Sequence, residues 1–478
     1  MKNPIFMNLF IASILSANSI KAYSIMSKPQ SSKNIRVMFH GGDNMLGRAI
    51  QLSFPVQSID EEFITDSCPG YHYLDMCMHP SGHPDGDFSL EEIRELNKRG
   101  DYLWKDYRKL RIDPSPDIRL LNVESHITRS IDMPDLPLWK GIRYHTHVDN
   151  LDAMIRPFAE TTHGRGGEVA SPVVLSLANN HVIDYGRTAL DSETLPALEK
   201  LQAALPNVCA VGIGKTLLEA SKPAELKCID TTVQVFAVAS GCSGTPKVWW
   251  ASEDVTSGLV GIPALVSNEA VTDALEVVKR ATDSYPLSSA GHKLRILSIH
   301  MGPNWALKGE DAMDIAYRRD FVHKVIDSCG VDIVYGHSSH HMRGMEVYMG
   351  KLILYGTGDI INDYEGFENR GEDQYNRLGG IYIADIDSVS GDLKQLQIVP
   401  MFMNRLRLER YKKGSQMWSP TQNRLVTDEE KGEELCTFIN ELSLIDAGSK
   451  KAALTVKYVD ESKSSIPGGP VLQTDILS

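Results

Sequence analysis

Acidic residues, amides and histidines follow several apolar segments of the chain, each at the point where the segment ends. Asp43 comes shortly after Ile35–Phe39, and Glu124 directly follows Ile118–Val123. The remaining cases are Asn179-Asn180-His181 after Pro172–Ala178, His300 after Leu294–Ile299, and His337, His340 and His341 after Val331–Tyr335. Carboxylates, amides and imidazoles gathered in one place form a mixed oxygen and nitrogen site that suits Mn, Fe or Zn. These residue types therefore indicate a metal site.

The segments that must position these residues have the length and β-branched composition of buried strands. Helix-like stretches lie between them, and a capping box, Ser89 with Glu92, begins one of these stretches. The others are Leu190–Leu205, Asn268–Thr282 and Asp320–Cys329, and further strands are expected at Thr232–Ala239 and Lys351–Tyr355. Strands alternating with helices predict an α/β layered domain. In an open α/β sheet the strands' carboxyl ends meet at one rim, where ligands collect.

Each of these residues also has a simpler explanation. Asp43, flanked by glycines, could belong to a turn or a helix cap, and Glu124 could cap the element that follows it. Asn180 and His181 could form an Asx turn beside a histidine of the core. The joint occurrence of five such strand exits favours the metal site over five independent turns.

Composition excludes several classes of protein. The 478 residues include 49 basic and 62 acidic side chains, which gives a net charge of −13. That balance argues against binding to nucleic acids, which requires a basic surface. The seven cysteines are odd in number and contain no CxxC pair, so neither a zinc ribbon nor a small disulfide scaffold is expected. A soluble globular protein remains.

The two ends of the chain are expected to be extensions of one large domain. Residues 1–30 form a leader or an N-terminal extension, and residues 1–22 have some features of a secretory signal. Their apolar run is shorter than the ~20 residues that span a bilayer. We expect a cytoplasmic protein, with secretion as the alternative. The main domain is predicted at 31–411, a helix and strand (Asp428–Leu444 and Ala453–Val459) within 412–460, and a flexible tail at 461–478.

The motifs occur in an order that resembles a known family. The series is Gly-Asp-x-Met-Leu-Gly-Arg, Asn-x-Glu, Leu-Ala-Asn-Asn-His-x-x-Asp-Tyr-Gly, His-x-Gly and Gly-His-x-x-His. From about Ile35 to Tyr411 the chain is similar to the CapA-type poly-γ-glutamate capsule synthesis proteins, which are related to the calcineurin-like metallophosphoesterases. The resemblance implies a four-layer α/β/β/α sandwich of metallophosphoesterase type.

The resemblance also implies roles for individual residues. His181 would lie near the substrate, and Arg48 would meet an anionic group. The site would hold divalent cations, two in the full family pattern, of Mn, Fe or Zn. The implied metal ligands are Asp43, Glu124, Asn180, His300, His337 and His340.

The chain departs from the family pattern at several positions. The superfamily usually has a histidine two residues after the first aspartate, where this chain has Met45. Glu124 stands where many members have an aspartate between the metals, and His300-Met301-Gly302 lacks the usual tryptophan. A single-metal site, or a weak second site, is therefore an alternative. Asp359, Asn362 and Asp363 could surround the site, but we favour the interpretation that they form a turn after a strand.

Two classes of function remain open. The first is a CapA-like metal-dependent hydrolase with a phosphoesterase-type site, linked to poly-γ-glutamate or capsule-type polymer synthesis, in which His181 acts as general acid. The alternative is a non-catalytic accessory or binding protein of polyglutamate metabolism on the same scaffold. The expected partner is an anionic small molecule or a polyglutamate-type substrate, with no nucleic acid and no transmembrane helix. The oligomeric state does not follow from the sequence.

Overall fold

A computed structural model describes most of the chain. The described residues are 34–58, 70–79, 88–163, 170–228, 230–253, 256–287, 292–306, 309–365, 378–412, 416–419, 424–459, 464 and 466–475. The expected leader at 1–30 lies outside them. So does part of the expected tail at 461–478.

The described ranges contain ten α-helices and 22 strands. The helices are α1 (Arg48–Leu52), α2 (Gly70–Met78), α3 (Leu90–Asn97), α4 (Leu151–Glu160), α5 (Arg187–Ala189), α6 (Leu195–Ala204), α7 (Leu217–Ala220), α8 (Asn268–Ser284), α9 (Ala312–Cys329) and α10 (Asp428–Ala447). The strands are β1 (Asn34–Asn44), β2 (Ile118–Val123), β3 (His126–Ile127), β4 (His145–Thr146), β5 (Val173–Ser176), β6 (Val208–Val211), β7 (Ile213–Gly214), β8 (Ala224–Cys228), β9 (Thr231–Ser240), β10 (Gly258–Leu259), β11 (Gly261–Ile262), β12 (His292–His300), β13 (Ile333–His337), β14 (Met345–Tyr348), β15 (Lys351–Leu354), β16 (Leu378–Asp387), β17 (Leu393–Met403), β18 (Leu408–Arg410), β19 (Gln416–Ser419), β20 (Arg424–Thr427), β21 (Lys457–Val459) and β22 (Val471–Gln473). A π-helical turn at Leu190–Thr194 leads into α6.

Two large sheets carry the fold. The first has the strand order β21-β22-β17-β16-β1-β2-β5-β6, with β18 paired to β17. Its strands β1, β2, β5 and β6 are parallel, β16 runs antiparallel beside β1, and β17 runs antiparallel beside β16. The second sheet has the order β11-β9-β12-β13-β15-β14, with β8 paired to β9. Its strands β11, β9, β12, β13 and β15 are parallel, and β14 runs antiparallel beside β15.

The two sheets pack face to face, and helices cover their outer faces. The rings of Phe39 on β1 and Tyr335 on β13 lie 4.9 Å apart, and the hydroxyls of Ser176 on β5 and Ser298 on β12 are 2.9 Å apart. Phe158 of α4 covers the outer side of β1, while α8 and α9 share a buried apolar cluster with β12 and β13. This arrangement confirms the four-layer α/β/β/α sandwich.

The expected strands are present because their side chains are buried on both faces. β2 and β5 are buried along their whole length, as strands covered by a helix layer and a second sheet must be. The long antiparallel pair β16 and β17 was not foreseen, because Gly379-Gly380 and the polar residues of β17 interrupt the apolar pattern. Helix α2 packs onto the fold through Tyr73, Leu74 and Cys77, which are buried at helical spacing.

The C-terminal part of the chain is more ordered than the expected tail. Val471–Gln473 forms β22, which pairs with β17, and the side chains of Val471 and Leu472 are completely buried. Burial of these two apolar residues against β17 explains why the strand forms despite the Gly-Gly-Pro that precedes it. None of the helices in the described ranges is both long and apolar enough to span a bilayer.

A hydrogen bond between the sheets is expected to contribute to stability. The Tyr335 hydroxyl donates to the Gly41 carbonyl oxygen at 2.5 Å, close to the site end of β1. Tyr335→Phe should lower the free energy of unfolding by about 1–3 kcal/mol, because the buried Gly41 carbonyl oxygen loses its hydrogen-bond donor. Denaturant unfolding measures the change.

Tyr382→Phe is the matched control. The Tyr382 hydroxyl is also buried, but it has no hydrogen-bond partner among the described residues, so its removal should be neutral or stabilising. Equal losses in the two variants would contradict the assigned role of the Tyr335 hydroxyl.

Candidate metal centre

Asp43 lies where the carboxyl ends of the two sheets meet. The register of β1 against β2 shifts between Phe39 and Asp43, and such a bulge redirects the side chains that follow it. The buried carboxylate accepts hydrogen bonds from Asn122 Nδ2 at 2.6 Å and from the Ser338 amide at 3.0 Å. Asn122 belongs to the first sheet, and Ser338 follows the second. Asp43 therefore joins the rims of both sheets.

A first group of possible metal-ligating atoms combines Asp43 with His300 and His337. The two histidines are register partners at the ends of β12 and β13. Their Nδ1 atoms are 2.8 Å apart and lie 3.4 and 3.7 Å from Asp43 Oδ1. The three side chains are completely or almost completely buried. The parallel ladder between β12 and β13 thus places two imidazoles beside one carboxylate.

A second group combines the same Asp43 with His340 and Asp359. His340 Nδ1 is 3.5 Å from Asp43 Oδ2 and 3.0 Å from Asp359 Oδ2. The indole of Trp305 stacks on the His340 ring at 4.7 Å. Within each group the possible ligand atoms lie within 4.8 Å of one another. Asp43 is common to both groups, so the arrangement could hold two cations that share one carboxylate.

Asp359 is the residue whose place differs most from the expectation. We interpreted it as part of a turn, whereas its completely buried side chain faces His340. Burial raises the pKa of Asp359 to about 7, against the opposing effect of His340. Burial alone would lower the pKa of His340, but the facing carboxylates of Asp359 and Asp43 raise it. In the sequence, the signal that Asp359 could belong to the site was its acidic side chain shortly after Lys351–Leu354.

The side chains of Glu124 and Asn180 lie close to His300. Glu124 Oε1 and Asn180 Oδ1 lie 3.9 and 3.0 Å from His300 Nε2. The Glu124 carboxylate is completely buried, and neither of its oxygens has a hydrogen-bond partner among the described residues. Burial, followed by the charges of Asp43 and Asp359, raises the pKa of Glu124 well above its usual range. A buried carboxylate without partners is the kind of group that a cation would satisfy.

His181 is held by a second set of contacts beside Glu124. Its Nδ1 atom lies 2.6 Å from Asp184 Oδ2, and its ring stacks on Tyr144 at 3.8 Å. The other nitrogen, Nε2, is 3.9 Å from Glu124 Oε1. Burial lowers the pKa of His181 to about 3, against the raising effect of Asp184. The ring is therefore neutral, and with Nδ1 donating to Asp184 its Nε2 atom is a proton acceptor that faces the site.

The sequence of this chain also matches a known protein family. Residues 37–364 match the model of the bacterial capsule synthesis protein family PGA_cap. The chain belongs to this family. It is 31% identical, over 79% of its length and 87% of theirs, to proteins named probable polyglutamine synthesis accessory proteins in two strains of Mycobacterium tuberculosis.

Two further similarities are more limited. The PGA biosynthesis protein CapA of Bacillus subtilis is 25% identical over 40% of this chain and 42% of its own. A crystal structure of a Mycoplasma pneumoniae protein, described as a novel phosphatase, aligns over 78% of this chain and 94% of its own with a TM-score of 0.33 and 8% identity. The first supports the PGA_cap assignment, and neither supplies a reaction for this chain.

Arg48 of this PGA_cap protein is held beside Asp363. Its guanidinium is buried and forms an ion pair with both carboxylate oxygens of Asp363. The rings of Tyr73 and Tyr144 lie 3.9 and 5.0 Å from its central carbon. Asp363 also accepts the Ala49 amide. A guanidinium enclosed in this way joins α1 to the segment after β15, and its binding of an anionic group stays a prediction.

Lys140 is a cation beside the site that sequence reasoning missed. Its ammonium contacts the Asp184 carboxylate and the Asn180 carbonyl oxygen, and it lies 3.3 Å from His181 Nδ1. The Trp249 ring is 4.7 Å away. Lys140 belongs to a loop between β3 and β4 rather than to a strand exit, so no periodic pattern marked it. Its position became apparent only once the loop was placed against the Asn180-His181 turn.

The pairing of Arg48 can be tested through stability. Asp363→Asn should lower the free energy of unfolding by about 3–5 kcal/mol, because it removes the charged partner from a buried ion pair. Asp385→Asn is the matched control, since Asp385 also pairs bidentately with an arginine, Arg36, but at a more exposed position. Denaturant unfolding of both variants should show the larger loss for Asp363→Asn. The reverse order would contradict the buried ion pair.

Proposed function

We propose that this PGA_cap protein is a metal-dependent hydrolase that uses two divalent cations and acts on an anionic ester or amide in polyglutamate or capsule polymer metabolism. The observation that carries the proposal is the pair of ligand groups that share Asp43. The family membership supports the polymer context, and the ligand geometry supports the hydrolytic chemistry. The preferred reaction is cleavage of a phosphoester.

The residues present fit two cations. Asp43, His300 and His337 would hold one, with the Asn180 amide oxygen at the same histidine. Asp43, His340 and Asp359 would hold the other, and the partnerless Glu124 carboxylate is available beside them. These oxygen and nitrogen ligands suit Mn, Fe or Zn. Met45 supplies no ligand, but Asp359 adds a carboxylate that lies outside the predicted set of metal ligands.

The charges of the site support two cations rather than one. Asp43, Glu124 and Asp359 form no ion pair with lysine or arginine in the part of the chain that the structure describes, whereas Asp184 and Asp363 pair with Lys140 and Arg48. Three carboxylates carry about three negative charges when ionised. One divalent cation leaves the group negative, while two make it weakly positive. An anionic substrate would be attracted only after both cations are bound.

The cations would polarise a phosphoryl oxygen and activate a water molecule. The chain's own part is the movement of a proton. Neutral His181 would take the proton of the attacking water at Nε2 and pass it to the leaving oxygen. Asp184 would hold the Nδ1–H tautomer throughout, and Tyr144 would fix the ring plane. The general-acid role predicted for His181 therefore follows a first step as a base.

A non-catalytic accessory role is the second candidate. The names of the mycobacterial relatives describe synthesis accessory proteins, and Met45 replaces a histidine that the superfamily pattern leads us to expect. In this case the same site would bind a polyglutamate-type chain or stabilise the fold without turning over a substrate. Metal content and turnover separate the two candidates.

The first test combines elemental analysis with assays. The purified protein should contain about two divalent cations and should hydrolyse an aryl phosphate diester or monoester in the presence of Mn²⁺. His300→Ala and His340→Ala should each lose at least one cation and most of the turnover, because each removes a ligand of one group. His163→Asn is the control, since His163 is buried outside the site and its φ of +51° suits asparagine.

The outcomes separate the candidates. Two cations without turnover, on the aryl phosphates and on a poly-γ-glutamate chain, would favour the accessory role. No bound cation in the wild-type protein, or unchanged metal content in both ligand variants, would refute the proposed metal site.

The second test concerns His181. His181→Ala should keep both cations but reduce kcat by about 10²–10⁴, which is the usual contribution of a positioned acid–base group. Steady-state kinetics and metal analysis of the same preparation measure the two quantities. His323→Gln on α9 is a control that should leave both unchanged. A His181→Ala variant with wild-type kcat would remove this residue from the reaction.

A further inference from the structure

The C-terminal helix α10 contacts the loop that carries His340, although it lies beyond the residues that match the family model. The match covers 37–364, and α10 spans Asp428–Ala447. The loop between β13 and β14 runs from Ser338 to Gly344 and includes His340. Nothing in the metal centre itself requires a helix at this place, so the contact calls for its own explanation.

Asp446 near the end of α10 holds the end of that loop through three hydrogen bonds. Its Oδ1 accepts from Arg343 Nη2 at 2.5 Å, and its Oδ2 accepts from Arg343 Nε at 3.2 Å. The same Oδ2 accepts the Gly344 amide at 2.8 Å. Asp446 is 1% exposed and Arg343 is 4% exposed. A buried bidentate pair of this kind fixes orientation more firmly than a surface ion pair does.

The helix backbone also packs directly against the loop. A Cβ atom on Gly344 would lie 2.5 Å from the Leu442 carbonyl oxygen and 2.6 Å from Ser443 Cα, so only glycine fits here. The next amide, that of Met345, donates to Ser443 Oγ at 3.0 Å. Arg343 additionally pairs with Glu310 at 2.8 Å on the segment that leads to α9. The loop end is therefore held from two directions.

The loop needs such support because its backbone is strained. Ser338 and His340 have φ values of +103° and +59°, which residues other than glycine rarely adopt. Such conformations persist only where the surroundings impose them. At the start of the loop the Ser338 amide donates to Asp43 and the Ser338 hydroxyl to the Gly302 carbonyl oxygen. Asp446 supplies the corresponding restraint at its end.

The ligands of the other group have a different kind of support. His300 and His337 belong to β12 and β13 and are paired in the parallel ladder. Ser298 lies 2.9 Å from His337 Nε2 within the same sheet interface. Both histidines are held by the strand ladder. The two groups that share Asp43 are thus supported by different parts of the fold.

We propose that Asp446 is a positioning residue that holds the Ser338–Gly344 loop so that His340 faces Asp43 and Asp359. The C-terminal helix would then control one of the two cation positions and leave the His300 and His337 position intact. The part of this inference that concerns cations rests on the proposed function. The part that concerns the loop rests on the hydrogen bonds alone.

The test compares Asp446→Asn with Ser443→Ala. Asp446→Asn keeps the side-chain shape but removes the charge that Arg343 needs, whereas Ser443→Ala removes a hydrogen bond from the same helix to β14 without touching Arg343. Mn²⁺ titration of the full chain should show one cation bound about 10- to 100-fold more weakly in Asp446→Asn, as expected when a residue that supports a ligand is lost. The other cation should keep its affinity, and Ser443→Ala should keep both.

Hydrogen exchange of the metal-free protein provides a readout that does not depend on cations. Asp446→Asn should speed exchange of the Ser338–Gly344 amides several-fold while β12 and β13 exchange as before. Arg343→Lys, which keeps the charge but loses the bidentate contact, should show the same pattern if Asp446→Asn fails to fold. Wild-type exchange in the loop would overturn the proposal.

The two readouts distinguish the possible failures. Equal weakening of both cations in Asp446→Asn would mean that α10 supports the whole site, and this would overturn the separation of the two positions. Absence of cation binding in the wild-type protein, with faster loop exchange in the variant, would refute the proposed function but leave the loop restraint standing.

Discussion

The structure depends on the burial of negative charge where the two sheets meet. Asp43, Glu124 and Asp359 are at most 1% exposed, and removing each charge from water costs several kcal/mol. Histidines offset part of this cost, and the raised pKa values of Asp359 and Glu124 show how strongly burial favours their neutral forms. The sheets and the loops that follow their strands hold these three carboxylates beside the histidines.

Two kinds of support meet at this site. The strand ladders hold His300 and His337, because paired strands leave their terminal residues little freedom. The loop residues His340 and Asp359 depend instead on contacts from outside the sheets, including the Trp305 stack and the Arg343–Asp446 pair. The C-terminal segment extends the first sheet with β22 and braces the second with α10.

Most of the site could be predicted because strand ends are visible in a sequence. Where an apolar segment is followed by Asp43, Glu124, Asn180, His300 or His337, the sequence indicates both a strand and the residue at its carboxyl end. The structure brings these residues together. Asp359, Lys140 and Asp446 could not be predicted in the same way. Each lies in a turn, a loop or a distant helix, where residue type does not reveal the neighbour. The ion pair of Arg48 could not be predicted either, since its partner Asp363 is more than three hundred residues away.

The α/β alternation, the family and the set of side chains that arrive at one rim can all be inferred from the amino-acid order, because they follow from local periodicity and from the succession of motifs. The packed fold adds which carboxylates have no basic partner among the described residues, which cation is already paired and which helix supports the His340 loop. The physical reason is that charge compensation and loop support depend on distances between residues far apart in the chain. Local patterns carry no information about those distances until the two sheets have packed.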